Sequence, residues 1–326
     1  MIRIKRLEAL LLGAASLALS FSSAAQSAWP ERTVTMILPT AAGSSFDSNT
    51  RKLADLFSKA LGQPVVIDNR PGAGGAIALT AVARARPDGY TLGLGNAASL
   101  AITPQLGQKT AFDPVTSFEH IGRFTHQANI LVVRKDLPVN SVAELTAYAK
   151  KQPGVLSMGS QGTGSTGHLS GEIYKSLANI DFVHVPYKGG PQAIQDLLGK
   201  RIDFLFENTS TIEPQITSGA VRALAVTSND RIAIFPNLPT MDEAGVKGYE
   251  ATSWTSLVVP AGTPAPIVQR LNTELNKALE NAEFRKYLTE RGTSPDGGTS
   301  IAARDFVVSE KTKWGAVIRK SNITAD

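Results

Sequence analysis

The side chains able to do chemistry in this sequence are few, and most of them sit in loops of glycine and hydroxyl residues. Gly162-Thr163-Gly164-Ser165-Thr166-Gly167 has the G-x-G-x-x-G spacing of a dinucleotide-binding turn, between a strand-like and a helix-like stretch. That motif also needs an acid at the end of the following strand to hold a ribose. Here Asp181 falls at the start of that strand, and Tyr187-Lys188 stand at its end. The match reads as accidental, and no cofactor is expected. The same residues miss the G-x-S-x-G nucleophile elbow by one position, with Thr163 in place of the first glycine. A secreted serine hydrolase using Ser165 stays as the alternative function, although His168 is too near in sequence to be assumed its base. His168 reads instead as capping or lining a helix start, or donating to a ligand carboxylate. The other histidines, His120, His126 and His184, give no His-x-x-x-His pair, so no metal site is expected. Without cysteine, a thiolate nucleophile and a disulfide are both excluded.

Such loops need elements to hold them. Val34, Met36, Ile37 and Leu38 form a short apolar run that predicts a buried strand ending at Pro39. Thr40–Ser45 is a small polar loop, after which Asp47 or Ser48 can cap a helix carrying Leu53, Leu56, Phe57, Ala60 and Leu61 at helical spacing. Gly62 stops that helix, and Pro64–Ile67 starts a second strand leading into the glycine-rich turn Arg70–Gly75. The loop between strand and helix offers backbone N–H groups at a helix N-terminus, which suits an anionic ligand group. For one such loop alone, tight turning is explanation enough.

The alternation then continues. Ala76–Ala85 reads as a helix and Tyr90–Leu94 as a strand running into Asn96 and Ser99. Ile121–Phe124 and Ile130–Val133 are apolar runs on either side of the polar Thr125–Asn129, which reads as a crossing between lobes. A second βα series follows. Ser141 with Glu144 three residues on is a capping-box pattern. Leu156–Met158 then precedes the loop Gly159–Gly167, and a helix is expected over His168–Leu177. Trp254–Val259 reads as a return strand, followed by helices over Ala265–Glu280, Ala282–Arg291 and Ala302–Lys320. Two crossings imply a discontinuous first lobe, 28–127 with 252–326, and a second lobe, 128–251, with a cleft between them.

The amino terminus bears on location. Arg3, Lys5 and Arg6 precede the apolar Ala9–Phe21, and small residues follow up to Ser27, the pattern of a cleaved secretory signal over residues 1–27. Removing that segment takes the formal net charge from +5 to about +3. No basic run or aromatic-basic cluster points to nucleic acid.

Seven segments in order carry a family resemblance, among them Asn69-Arg70-Pro71-Gly72-Ala73-Gly74-Gly75, Pro87-Asp88-Gly89-Tyr90-Thr91-Leu92, His184-Val185-Pro186-Tyr187-Lys188-Gly189 and Pro260-Ala261-Gly262-Thr263-Pro264. Together they resemble the Bug family of periplasmic solute-binding proteins, the receptor component of tripartite tricarboxylate transporters. The resemblance implies an α/β fold, a two-lobed, type II-like Venus flytrap in which each lobe is a sheet flanked by helices. It implies a monomeric, non-enzymatic periplasmic receptor that closes on a small organic acid and delivers it to membrane transporter subunits. Carried over by position, the ligand-binding residues are Thr40, Ala41, Ala42, Gly43, Ser44, Ser45 and Asp47 in the first-lobe loop. In the second-lobe loop they are Thr163, Gly164, Ser165, Thr166 and His168, with Asn96, Ser99, Tyr187 and Asn208 beside them. One departure stands out. Family members commonly carry Pro-Phe-Pro-Pro-Gly-Gly where this chain has Pro39-Thr40-Ala41-Ala42-Gly43-Ser44. The smaller, hydroxyl-rich rim leads us to expect a ligand bulkier than a short dicarboxylate, such as an aromatic acid.

Overall fold

A computed structural model describes residues 29–106 and 110–320; the expected leader, 1–27, lies outside the described residues. In the first lobe, β1 (Val34–Leu38) is parallel to β2 (Val65–Asn69) on one side and to β3 (Thr91–Asn96) on the other. A strand with neighbours on both edges and helices over both faces must be apolar nearly throughout. That is why Val34, Met36, Ile37 and Leu38 are all buried. Next to β3 runs the antiparallel β9 (Thr252–Pro260), then β4 (Phe118–Arg134), then β10 (Thr293–Gly297).

Strand β4 belongs to both lobes. Its residues from Phe118 to Ala128 pair with β9, and those from Asn129 to Arg134 pair with β7 (Phe204–Asn208) and β8 (Val221–Val226). Beyond β7 lie β5 (Ser157–Ser160) and β6 (Val183–Pro186), both parallel to it in register order. The second sheet therefore runs β8-β4-β7-β5-β6. Alternate residues of β4 serve opposite faces: Ile130 and Val132 join one apolar cluster with Leu197 and Leu205, while Leu131 and Val133 join another with Phe204 and Phe206.

The polar stretch Thr125–Asn129, expected as a crossing, does carry the chain from one sheet to the other, and it does so as the middle of a 17-residue strand. It stays extended because its side chains and backbone find polar partners inside the protein. Thr125 and Thr255 hydroxyls lie 2.8 Å apart, Gln127 Nε2 donates to Ser45 Oγ at 2.9 Å, and Asn129 N donates to Thr227 Oγ1 at 2.8 Å. Strand β10 is unexpected from sequence, since Pro295, Asp296 and Gly297 are poor strand formers. Its edge position tolerates them, and Asp296 anchors it through Arg123 at 2.8 Å and His126 at 2.7 Å.

Helices complete the layers: α1 (Ser45–Leu61), α2 (Ala76–Ala83), α7 (Ala265–Glu280), α8 (Ala282–Thr289) and α9 (Ser300–Lys320) in the first lobe, and α3 (Val142–Lys151), α4 (Thr166–Ala178), α5 (Gly190–Leu198) and α6 (Thr209–Thr217) in the second. Among the described residues no helix is long and apolar enough to cross a membrane. Helix α9 is tied to β9 by one buried carboxylate. Glu310 Oε2 accepts from the indole N–H of Trp254 at 2.7 Å and of Trp314 at 3.0 Å.

Two stability predictions follow from buried polar groups. Glu310→Ala leaves two buried indole donors unpaired and should cost roughly 2–4 kcal/mol, read as a fall in the thermal unfolding midpoint, whereas Glu310→Gln should cost less. His120 is buried and neutral, its ring N–H meeting Pro114 O at 3.2 Å; burial pushes it down to about 4. Because the unfolded chain takes up that proton first, stability is full above about pH 6.5 and falls between there and about pH 4, by roughly 3 kcal/mol at most. Urea unfolding across that range should show the slope, and His120→Gln should flatten it.

Candidate ligand-binding cleft

Two helix starts in different lobes share one local design. Ser44 caps α1 and Ser165 caps α4, both at φ −71° and ψ 162°. Each serine hydroxyl accepts from the amide three residues on: Asp47 N at 3.3 Å and His168 N at 3.2 Å. Each third residue then accepts back from the glycine before the cap, Gly43 N to Asp47 Oδ2 at 3.0 Å and Gly164 N to His168 Nδ1 at 3.1 Å. Both glycines sit at positive φ, 80° and 75°, a backbone conformation that resists a side chain. The helix expected to begin at Asp47 or Ser48 begins instead at Ser45. The αL turn at Gly43 brings the Ser44 hydroxyl under the first turn, so Asp47 serves the loop rather than the cap.

A cavity of about 590 Å³ opens between these two helix starts. Of the sixteen residues expected at a ligand site, Thr40, Ala41, Ser44, Asn96, Thr163, Ser165, Thr166, Tyr187 and Asn208 line it. The rest of that set stands outside the wall, and the hydrogen bonds say why. Ser45 turns its Oγ to Gln127 and its N–H to Thr211 Oγ1 at 3.2 Å. Asp47 is buried behind the loop, bonded by Arg51, Asn69 and Gly43. Burial would raise its pKa, but those bonds, from Arg51 above all, hold it below the usual carboxylate value. Ser99 closes a small ring with Asn96, each side chain accepting the other's amide at 3.0 and 2.9 Å. Gly164 and His168 are taken up by each other; Ala42 and Gly43 are exposed on the outer turn.

The wall also holds residues that the sequence reading passed over. Pro71–Gly75 follows β2, and Pro186 ends β6, with Lys188 and Gly189 after it and Gly190 opening α5. Both are glycine turns at the carboxyl end of a parallel strand, the same signal that picked out the first two loops. Phe46, one residue into α1, supplies an aromatic surface that the loop itself lacks. Gln161 ties the second loop to β7, donating to Phe206 O at 2.9 Å and accepting from Gly167 N at 3.1 Å. Glu207 and Thr211 come from β7 and the helix after it. Tyr187 donates its hydroxyl to Asp196 at 2.9 Å; burial and that neighbouring carboxylate push its pKa up to about 12.

Contacts span the cleft. Besides Ser45 to Thr211, Thr166 Oγ1 meets Ser253 Oγ at 3.4 Å. The approach at Gly189 is close enough that an added Cβ there would lie 3.2 Å from the Ala41 side chain. Nothing about Ser165 resembles an elbow nucleophile: it is a helix cap, and His168 turns Nδ1 to Gly164 N and lies with Nε2 3.8 Å from Glu172. His184 stacks on His168 at 3.9 Å between ring centres and shares a 2.7 Å hydrogen bond with Ser160.

Comparison with known proteins places this geometry. A model described as the tripartite tricarboxylate transporter family receptor matches residues 49–323. A protein of Agrobacterium vitis, encoded in the TAR-I ttuE-ttuC' intergenic region, is 37% identical over 303 residues, covering 91% of this chain and 86% of the relative. Among solved structures, R. palustris Rpa4515 with adipate superposes with a TM-score of 0.88 at 37% identity, over 91% of this chain and 99% of that one. The periplasmic binding protein BugD gives 0.87 at 36% identity, over 91% and 100%. MatC from Rhodopseudomonas palustris with bound malate gives 0.85 at 31% identity, over 89% and 100%. The serine hydrolase alternative gains no support from any of these, and with the family model spanning most of its sequence, this chain belongs to the tripartite tricarboxylate transporter receptor family of solute-binding receptors.

Proposed function

We propose that the cleft captures a small organic carboxylate between the first turns of α1 and α4, without chemistry, and presents it to membrane subunits of a tripartite tricarboxylate-type transporter. The observation that carries this reading is the pair of matched helix starts on one cavity. A helix leaves its first four amides without intrahelical acceptors. Ser44 and Ser165 satisfy the third-position amides, Thr211 takes that of Ser45 and Gln161 that of Gly167. Phe46 and Thr166, both on the cavity wall, then offer their amides to an anion along the axes of two helix dipoles. Lys188 is the only lysine or arginine among the lining residues, and it is exposed, so the anion is held by backbone groups rather than by a buried cation. The adipate and malate bound by Rpa4515 and MatC support a carboxylate ligand here.

The finer parts of the proposal follow from this. The lobes are 28–127 with 252–326, and 128–251, hinged where β4 passes between sheets and at Ala251–Trp254. The leader, 1–27, is cleaved on export, and the mature protein works in the periplasm. Thr40, Ala41, Ser44, Asn96, Thr163, Ser165, Thr166, Tyr187 and Asn208 form the binding wall. A cavity near 590 Å³, rimmed by Thr40 and Ala41 and floored in part by Phe46, has room for an aromatic acid as well as for an aliphatic diacid.

A melting-shift screen with adipate, malate, benzoate and phthalate should find at least one acid that raises the unfolding midpoint by several degrees at a hundredfold excess over Kd, a stabilisation of about 2.7 kcal/mol. No shift with any organic acid, together with turnover of an ester substrate, would reject the receptor reading. Thr163→Ala combined with Ser165→Ala should weaken binding about tenfold or more while the fold loses only the roughly 1 kcal/mol of a helix cap. Unchanged affinity in that double variant would remove the second loop from the site.

A further inference from the structure

Glu207 is a carboxyl in an unusual place. It is the penultimate residue of β7, on the wall of an anion cavity, yet only 1% of it is exposed. Its Oε1 accepts from Asn208 N at 2.8 Å, while its Oε2 is buried without a hydrogen-bond partner. The side chain is wedged against the start of α5: a Cβ on Gly190 would collide with Oε2 and with the carboxyl carbon. No lysine or arginine forms an ion pair with it among the described residues. A buried carboxylate with an orphaned oxygen and no cation is costly, and its cheapest remedy is a proton.

The surroundings give little else to answer its charge. Its antiparallel partner on β4 is Ile130, and the titratable residues of β4, Glu119, His120, Arg123, His126 and Arg134, all lie outside the stretch Asn129–Val133 that pairs with β7. The end of β5 contributes the neutral Gln161, and the loop after β6 contributes Tyr187, bound to Asp196 of α5, and the exposed Lys188. Helix α4 carries His168, Glu172 and Lys175, with Glu172 and Lys175 a turn or more from its start, and α6 carries Glu213 on its outer part. Within β7 no other residue is ionisable.

We infer that the cleft binds its anion together with a proton, and that Glu207 is the group that carries the proton. The inference rests on the proposed carboxylate site. A carboxylate entering the cavity meets either a neutral Glu207 or a second negative charge in a medium that screens poorly. The two charges disfavour each other, so ligand binding draws a proton onto Glu207, and by reciprocity protonation tightens ligand binding. Burial pushes this carboxyl up to about 7, with Gln161 and Asn208 N–H opposing, so the proton is exchangeable near neutral pH. The sign is set by that direction: affinity is highest below about pH 6.5 and falls as pH rises through 7 and beyond.

The test is calorimetry of the mature protein with adipate and malate, whose own carboxyls ionise well below this range. Heats measured in buffers of different ionisation enthalpy should report an uptake of roughly half a proton per acid bound near pH 7.5. Between pH 6.5 and 8.5 the affinity should fall by up to about tenfold per pH unit. Glu207→Gln should remove both the uptake and the slope while binding persists; a melting curve confirms that the variant folds. Binding with uptake below about 0.1 proton, or the same slope in Glu207→Gln, overturns the proton site and leaves the receptor intact. Should the variant not fold, the wild-type uptake alone decides. If no organic acid binds at any pH, the receptor reading itself fails, and the proton site falls with it.

Discussion

The first turn of a helix cannot satisfy its own amides, and much of this structure can be understood as a way of leaving that debt open in a sheltered place. In both lobes the same five-residue device does the work. A left-handed glycine turns the chain, a serine caps the third amide, and the third side chain returns a hydrogen bond to the glycine. That the returning group is a carboxylate in one lobe and an imidazole in the other shows that acceptor position matters more than residue identity. The remaining amides are bounded by glycines and small residues, so a ligand can approach the backbone closely.

Such a site constrains the rest of the chain. Two helix starts are useful only if strands of two different sheets end at the same cleft, and that requires a connection stiff enough to keep them opposed. Strand β4 supplies it, and its polar middle is held by Thr255, Ser45, Thr227 and Ser170 rather than by apolar packing. Helix α9 completes the first lobe by covering β9 through Trp254, Trp314 and the carboxylate of Glu310 that joins them.

Most of the elements were legible because their apolar periods were strong. The stop at Gly62 and the cap at Ser141 stand in the structure as read, each from a single residue with a mechanism. Four things resisted. Thr125–Asn129 reads as a crossing but not as a strand, because the partners that keep it extended, Ser45, Thr227 and Thr255, lie about 80 to 130 positions away in sequence. Strand β10 has no strand signal of its own; its extended form comes from pairing with β4 and from Asp296. Within the loops, sequence names the residues but not which way they turn. Ser44 and Ser45 are adjacent hydroxyls, yet one lines the cavity and the other faces Gln127. Glu207 gave no warning at all, because its character comes from burial and from missing partners, and neither is written in the local sequence.

The sharing of β4 between two sheets has a consequence for how the molecule comes apart. A strand that is central to one sheet along its first half and to the other along its second cannot be peeled from either without exposing the neighbouring core. Neither half of the protein is then a self-sufficient folding unit, and the chain meets this difficulty during synthesis too. The segment that completes the first sheet, β9 onward, is made last, so β4 must wait for it while its other end already has β7 and β8. Assembly therefore closes late, on the carboxyl-terminal quarter of the polypeptide.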